Sequence, residues 1–180
     1  MLNHPENEDE LESYLRMVTK LRDASDFQAA LHACKLLIDN PSTRGAGLRA
    51  RADVYADMQQ RHSELADRES LVELGSPEPS DYFELGITLW RTGRLIEAAS
   101  AFSRSLELGE QENFHYYANT SRMHLVALLI KLQRHEEALR ECKLIPESYS
   151  SYLPDGMTTK EQLLEKLSTK PNPSRRNSPF

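Results

Sequence analysis

Apolar and small residues recur along this chain in paired runs at helical spacing. In the stretch Asp81–Gly109, Leu85, Gly86 and Leu89 mark one stripe, and Ala98 and Phe102 mark another beyond Gly93. A period of three to four residues is the signature of an amphipathic helix, and glycine between two such stripes reads as a turn. The stretch therefore predicts a helix, a tight turn and a second helix, with small residues where the two approach. Similar pairs surround Ala138, preceded by Leu125, Val126 and Leu129, and Ala30, preceded by Tyr14, Met17, Val18 and Leu21. A fainter pair surrounds Ala66, preceded by Val54, with Asp53 and Asp57 falling where apolar residues are expected. The four alanines lie 36, 32 and 40 residues apart, which cuts the chain at about 11–41, 43–75, 80–109 and 113–146. The longest interval places extra residues near 110–120, in the first helix of the fourth pair.

Start and stop signals agree with this cutting. Ser25 or Asp26 caps one helix and Asn40-Pro41 ends it; Ser42 or Thr43, Ser63, and Ser80 or Asp81 open later ones. Gly93 and Gly109 suit left-handed helix ends, and Pro146 closes the last paired helix. Alternation of period two is lacking, so no sheet is expected. Residues 147–156 read as a loop. Thr158 and Glu161 form a capping box ahead of Leu163, Leu164 and Leu167, which predicts a helix over about 158–168. The tail 170–180, KPNPSRRNSPF, is rich in proline and serine and is expected to be disordered.

Leu85-Gly86, Leu89, Gly93, Ala98 and Phe102 stand at offsets that resemble the tetratricopeptide repeat (TPR), a helical hairpin of about 34 residues. The resemblance covers residues 10–146. It implies an all-α fold, a right-handed α-solenoid of about four TPR-like helical hairpins plus a C-terminal capping helix, within one domain over 1–169. One hairpin cannot bury its apolar face alone, so stacked neighbours are required. In the TPR family the first helices of successive hairpins line a concave groove. Carried over, this places Leu15, Arg16, Thr19 and Arg22 there from the first hairpin, and Arg51, Tyr55 and Met58 from the second. Phe83, Ile87, Trp90 and Arg91 come from the third. Met123, His124, Ala127, Ile130 and Lys131 come from the fourth.

Phe83, Ile87 and Trp90 form a second apolar stripe on the helix that carries Leu85, Gly86 and Leu89. Such a helix is either covered on both sides, here by neighbouring repeats or the 147–157 segment, or offers a binding patch. Arg16, Arg22, Arg51, Arg91 and Lys131 outnumber acids such as Glu12 and Asp23 among the groove positions. That points to a protein or peptide partner with acidic and apolar groups, or else to ordinary surface scatter. The carboxylate clamp of one TPR subclass needs asparagine at the ninth repeat position. Thr19, Tyr55, Ile87 and Ala127 stand there, so that clamp is not expected.

Net charge is −6, which argues against a nucleic-acid partner. No apolar run spans a membrane, and the N-terminus lacks the regions of a signal peptide, so a cytoplasmic protein is expected. The six histidines show no metal-ligand spacing, Cys34 and Cys142 read as core side chains, and no nucleophile motif stands out, so neither cofactor nor catalysis is expected. The reading is a non-enzymatic protein-interaction module. Its alternatives are a small bacterial chaperone or immunity protein that neutralises a cognate effector, and a small-molecule sensor or enzyme that uses the groove as a pocket.

Overall fold

A computed structural model describes residues 5, 7–75 and 77–168; the expected disordered tail lies outside these. Among the described residues the chain forms α1 (Glu8–Asp23), α2 (Phe27–Asp39), α3 (Arg44–Asp57), α4 (Arg61–Val72), α5 (Pro79–Arg91) and α6 (Leu95–Gln111). Then follow α7 (His115–Lys131), α8 (His135–Lys143), β1 (Ser150–Leu153), β2 (Gly156–Thr159) and α9 (Lys160–Ser168). The helices follow one another as hairpins, and the architecture is all-α of the TPR kind apart from the short β1–β2 hairpin.

Helix ends are fixed by local chemistry. The Asn7 side chain accepts from the Glu10 N–H, and acids in the first turn of α1 face basic residues in its last. Asp26 caps α2, and the Asp81 carboxylate accepts from the Glu78 N–H at the start of α5. Five turns share one closure. A residue with positive φ (Ser25, Gln59, Gly93, Asn113 or Gln133) precedes an N–H that donates to the carbonyl five residues back. For Arg94 that acceptor is Leu89, at 2.9 Å, and for Phe114 it is Gly109, at 2.7 Å. This is the Schellman arrangement, and it sets each hairpin's turn.

The shared turn gives the register. Five residues beyond Ser25, Gly93 and Gln133 stand Ala30, Ala98 and Ala138, each with no exposed surface. Five residues beyond Gln59 stands Glu64, not Ala66, and Ala66 is exposed. Ala30, Glu64 and Ala98 are thus spaced by 34 and 34 residues. Four residues further on, the buried Cys34, Phe102 and Cys142 are matched by Arg68. The second hairpin therefore replaces an apolar core pair with the buried ion pair Glu64–Arg68, at 3.3 Å. Asp53 and Asp57 leave the apolar stripe, which instead runs through Leu48 and Ala52, both buried.

Other expectations change as well. The N-cap position of α4 is held by Gln60 rather than Ser63, without a side-chain capping bond. Gly109 lies inside α6, where a Cβ would stand 2.9 Å from the Ala118 nitrogen, so its role is close helix approach. The extra residues near 110–120 lengthen both α6 and α7, to 17 residues each. Residues 150–159 are not loop but an antiparallel hairpin, with Tyr152 opposite Met157. The capping box of α9 is one residue later than expected: Gln162 Oε1 accepts from the Thr159 N–H, and Thr159 Oγ1 from the Gln162 N–H.

The chain divides into two compact units at Ala101/Phe102, within α6. In the first, Val18, Ala30, Ala33, Cys34 and Val54 form a core, with Met17, Leu21 and Phe27 packed against it. In the second, Phe102, Met123, Leu128, Ile145 and Leu163 are fully buried. Lys160 is buried there too, its Nζ donating to the Ile145 carbonyl at 2.7 Å and to Glu147 at 2.8 Å, which ties the start of α9 to the end of α8.

Two glycines of α3 make opposite predictions. A Cβ on Gly45 would meet only Leu71 and Leu74, at 3.7 and 3.9 Å, so Gly45→Ala should stabilise by up to about 1 kcal/mol. A Cβ on Gly47 would stand 2.8 Å from the Ile38 backbone nitrogen, so Gly47→Ala should destabilise by about 1–3 kcal/mol. Urea denaturation of the two variants checks the contrast; equal effects would contradict the α2–α3 packing.

Candidate functional site

The first unit gathers charged side chains from four helices into one network. Arg22 of α1 donates to Asp57 of α3 at 2.7 Å and lies 3.5 Å from Asp53. Asp53 also pairs with Arg68 of α4, at 3.0 Å, and Arg68 reaches Glu84 of α5 at 3.8 Å. Glu64 is shared between Arg68 and the Thr88 hydroxyl, which donates to it at 2.8 Å. Three carboxylates thus surround the Arg68 guanidinium. Partial desolvation of its half-exposed side chain raises the Glu84 carboxyl, and like-charged Asp53 and Glu64 add to it against the pull of Arg68 and Arg91.

Helical spacing sets the apolar stripe beside this network. Ile87 lies three residues beyond Glu84, and Phe83, Ile87 and Trp90 share one face of α5. All three are half-buried, neither sealed nor fully open. Arg91 is exposed. Of the expected positions in the first unit, Phe83, Ile87, Trp90 and Arg91 lie along α5, and Arg22 of α1 is linked to that helix only through the ion pairs of Asp53, Arg68 and Glu84.

Arg51 and Tyr55 do not join them. Arg51 grips Asp67 of α4 with two hydrogen bonds, at 2.8 and 2.7 Å, and its guanidinium lies 5.9 Å from the Tyr55 ring. Both are half-buried, and the Asp67 bonds hold Arg51 against α4. The two-residue register shift puts Asp53, rather than Tyr55, at the ninth position of the second repeat. The expected basic bias is offset accordingly: Arg16 pairs with Glu12, Arg22 with Asp57 and Arg51 with Asp67.

In the second unit α7 departs from expectation. Met123 is fully buried and His124 nearly so, and neither can line a surface. The Tyr149 hydroxyl meets Thr120 Oγ1 at 2.6 Å and donates to the Tyr116 carbonyl at 3.3 Å. Tyr116, Thr120, Met123 and Ala127 share one helical face, so the chain's own 147–153 segment covers part of it. Ala127 and Ile130 remain half-buried and Lys131 exposed. His124 Nδ1 pairs with the Thr120 carbonyl at 2.8 Å, its ring lies 5.1 Å from Phe102, and burial depresses its pKa to about 4.

A cavity of about 320 Å³ opens in the first unit between α4, α5 and α6, with Leu85, Leu89 and Ala101 among its lining residues. Arg94, also in the lining, donates to Glu69 at 2.6 Å and to Glu97 at 2.8 Å. Cys34 and Cys142 are free and buried; desolvation pushes the Cys34 thiol up to about 12 and raises Cys142. Among the described residues no group of three His, Cys, Asp or Glu side chains could hold a metal, and no helix is long and apolar enough to cross a membrane.

No protein-family model and no curated protein matches the sequence. Solved structures do match the fold. A Podosopora anserina protein of nearly identical TPR-like repeats aligns with a TM-score of 0.65 at 14% identity, over 91% of this chain and 95% of that one. MamA aligns at 0.61 and 17% identity, over 74% and 69%. YrrB, described as a TPR protein with an unusual peptide-binding site, aligns at 0.60 and 17% identity, over 72% of this chain. The chain spans 64% of YrrB's length.

The depressed His124 pKa carries a pH prediction. The unfolded chain takes up a proton near pH 6.5 that the folded chain refuses until about pH 4. The stabilisation is therefore complete above about pH 6.5 and declines as pH falls towards 4, by about 2 kcal/mol between pH 7 and 5. Urea titrations at both pH values should show a smaller loss in His124→Leu than in the parent chain; identical losses would contradict the assignment.

Proposed function

We propose that this chain, which has the tetratricopeptide-repeat fold, is a non-enzymatic module that binds a segment of a partner protein. The proposed surface is the α1–α3–α5 side of the first unit. The carrying observation is the stripe Phe83, Ile87 and Trp90, half-buried on a helix whose other face already packs Leu85 and Leu89 into the core. A half-buried aromatic stripe bordered by charged side chains is the anatomy of a protein-recognition patch, with aromatic anchors carrying much of the energy. The peptide-binding site named for YrrB supports the same reading for a chain of this fold. Arg22 and Arg91 border the stripe in this proposal. Arg51 and Tyr55 are left out because Asp67 holds the Arg51 guanidinium against α4, and Met123 is left out as a core residue. Ala127, Ile130 and Lys131 carry the proposal within the second unit alone.

Trp90 is the single tryptophan, so its emission reports on the surface directly. Peptides selected from a random displayed library against the full chain should shift Trp90 emission on titration. They should also lose affinity by about tenfold or more with Trp90→Ala. Selected peptides that leave the emission unmoved and bind Trp90→Ala as well as the parent would overturn the proposal.

A further inference from the structure

Composition gives the groove positions a basic look, and Arg16 and Arg91 do meet the solvent, but the Arg22–Arg68 network turns carboxylates outward. Four carboxylates, Asp53, Asp57, Glu64 and Glu84, serve two guanidinia, Arg22 and Arg68. The guanidinia are drawn inward, with side chains 25% and 6% exposed. Asp53, Asp57 and Glu84 keep 43%, 40% and 46% of their side chains exposed. The solvent-facing ends are therefore mainly acidic. Arg91, one turn beyond Ile87, adds a cation at the far end of the stripe, and Asp23 adds a further acid near Arg22. The balance of these seven acid and base groups with Asp23 is negative.

We infer that the α1–α3–α5 side of the first unit takes a polypeptide segment that carries Lys or Arg beside an apolar side chain. This rests on the proposed peptide-binding surface and specifies its partner's chemistry. The apolar side chain seats on Phe83, Ile87 and Trp90. The cation meets Glu84, a single helical turn from Ile87, and the run of negative charge continues through Asp53 to Asp57. Complementary charge at the border of an apolar patch governs encounter rate and the choice between partners more than total affinity. A ligand rich in Asp or Glu would set its carboxylates against three exposed carboxylates and lose by repulsion. Nucleic acid is disfavoured for the same reason.

The test uses three fluorescein-labelled twelve-residue peptides without tryptophan. Leu and Phe stand at the same positions in each, and Lys, Gln or Glu fills the remainder. Anisotropy with the full chain at 50 mM salt should rank Lys above Gln above Glu, and 500 mM salt should narrow the ranking. Glu84→Gln and Asp57→Asn should each weaken the Lys peptide by about two- to fivefold, and more than they weaken the Gln peptide. Circular dichroism confirms that both variants fold. Equal or tighter binding of the Glu peptide, with Trp90→Ala still weakening it, overturns the charge inference and leaves the binding surface standing. Binding indifferent to Trp90→Ala, or absent for all three peptides, overturns the surface and this inference with it.

Discussion

The buried ion pair of Glu64 and Arg68 is the constraint on which the first unit turns. In the first, third and fourth hairpins the equivalent positions hold Ala30 with Cys34, Ala98 with Phe102, and Ala138 with Cys142, all buried. A glutamate and an arginine in such positions lose their hydration on folding, a cost of several kcal/mol per ion that only good partners offset. The structure supplies those partners from neighbouring helices: Thr88 for Glu64, and Asp53 and Glu84 for Arg68. A pair that elsewhere would only fill space here joins α4 to both α3 and α5. Arg49, which grips Asp81 at 2.6 and 2.7 Å, makes a second such tie between α3 and α5.

Satisfying Arg68 has a further effect. Its carboxylate partners exceed its charge, and those on α3 and α5, Asp53 and Glu84, keep 43% and 46% of their side chains exposed. The interaction that holds the second hairpin to its neighbours thus also sets the electrostatic character of the adjoining surface. In the proposed binding mode, side chains that hold the second hairpin to its neighbours are also those that meet the ligand.

The sequence disclosed most of the helical plan because the repeat's close contacts demand particular residues. Gly93 marks a left-handed turn, and Ala98 and Phe102 mark a helix packed tightly on its neighbour. The same logic misplaced the second hairpin. A small residue is expected there and Ala66 is at hand, whereas the position holds a glutamate whose burial depends on Arg68, four residues on, and Thr88, 24 residues on. Arg51 looked like a surface cation because nothing in its neighbourhood announces Asp67, 16 residues on. Gly109 was legible as special, but close approach to Ala118 and a positive φ call for the same residue type. The β1–β2 hairpin, four residues a strand, is too short to show alternation, and its position against α7 is a tertiary property. The stripe of α5 was legible from spacing alone. The burial of Met123 was not, since which face of α7 is covered is a tertiary property.

The most direct test of this account is a double-mutant cycle at positions 64 and 68, followed by urea denaturation. Glu64→Ala and Arg68→Leu alone each leave a buried charge short of a partner and should cost about 2–4 kcal/mol. The double variant restores a small and an apolar residue at the positions where the other hairpins carry them, and it should recover most of that loss. Two single losses that simply add in the double variant, or singles without effect, would contradict the register of the second hairpin and the charged surface built on it.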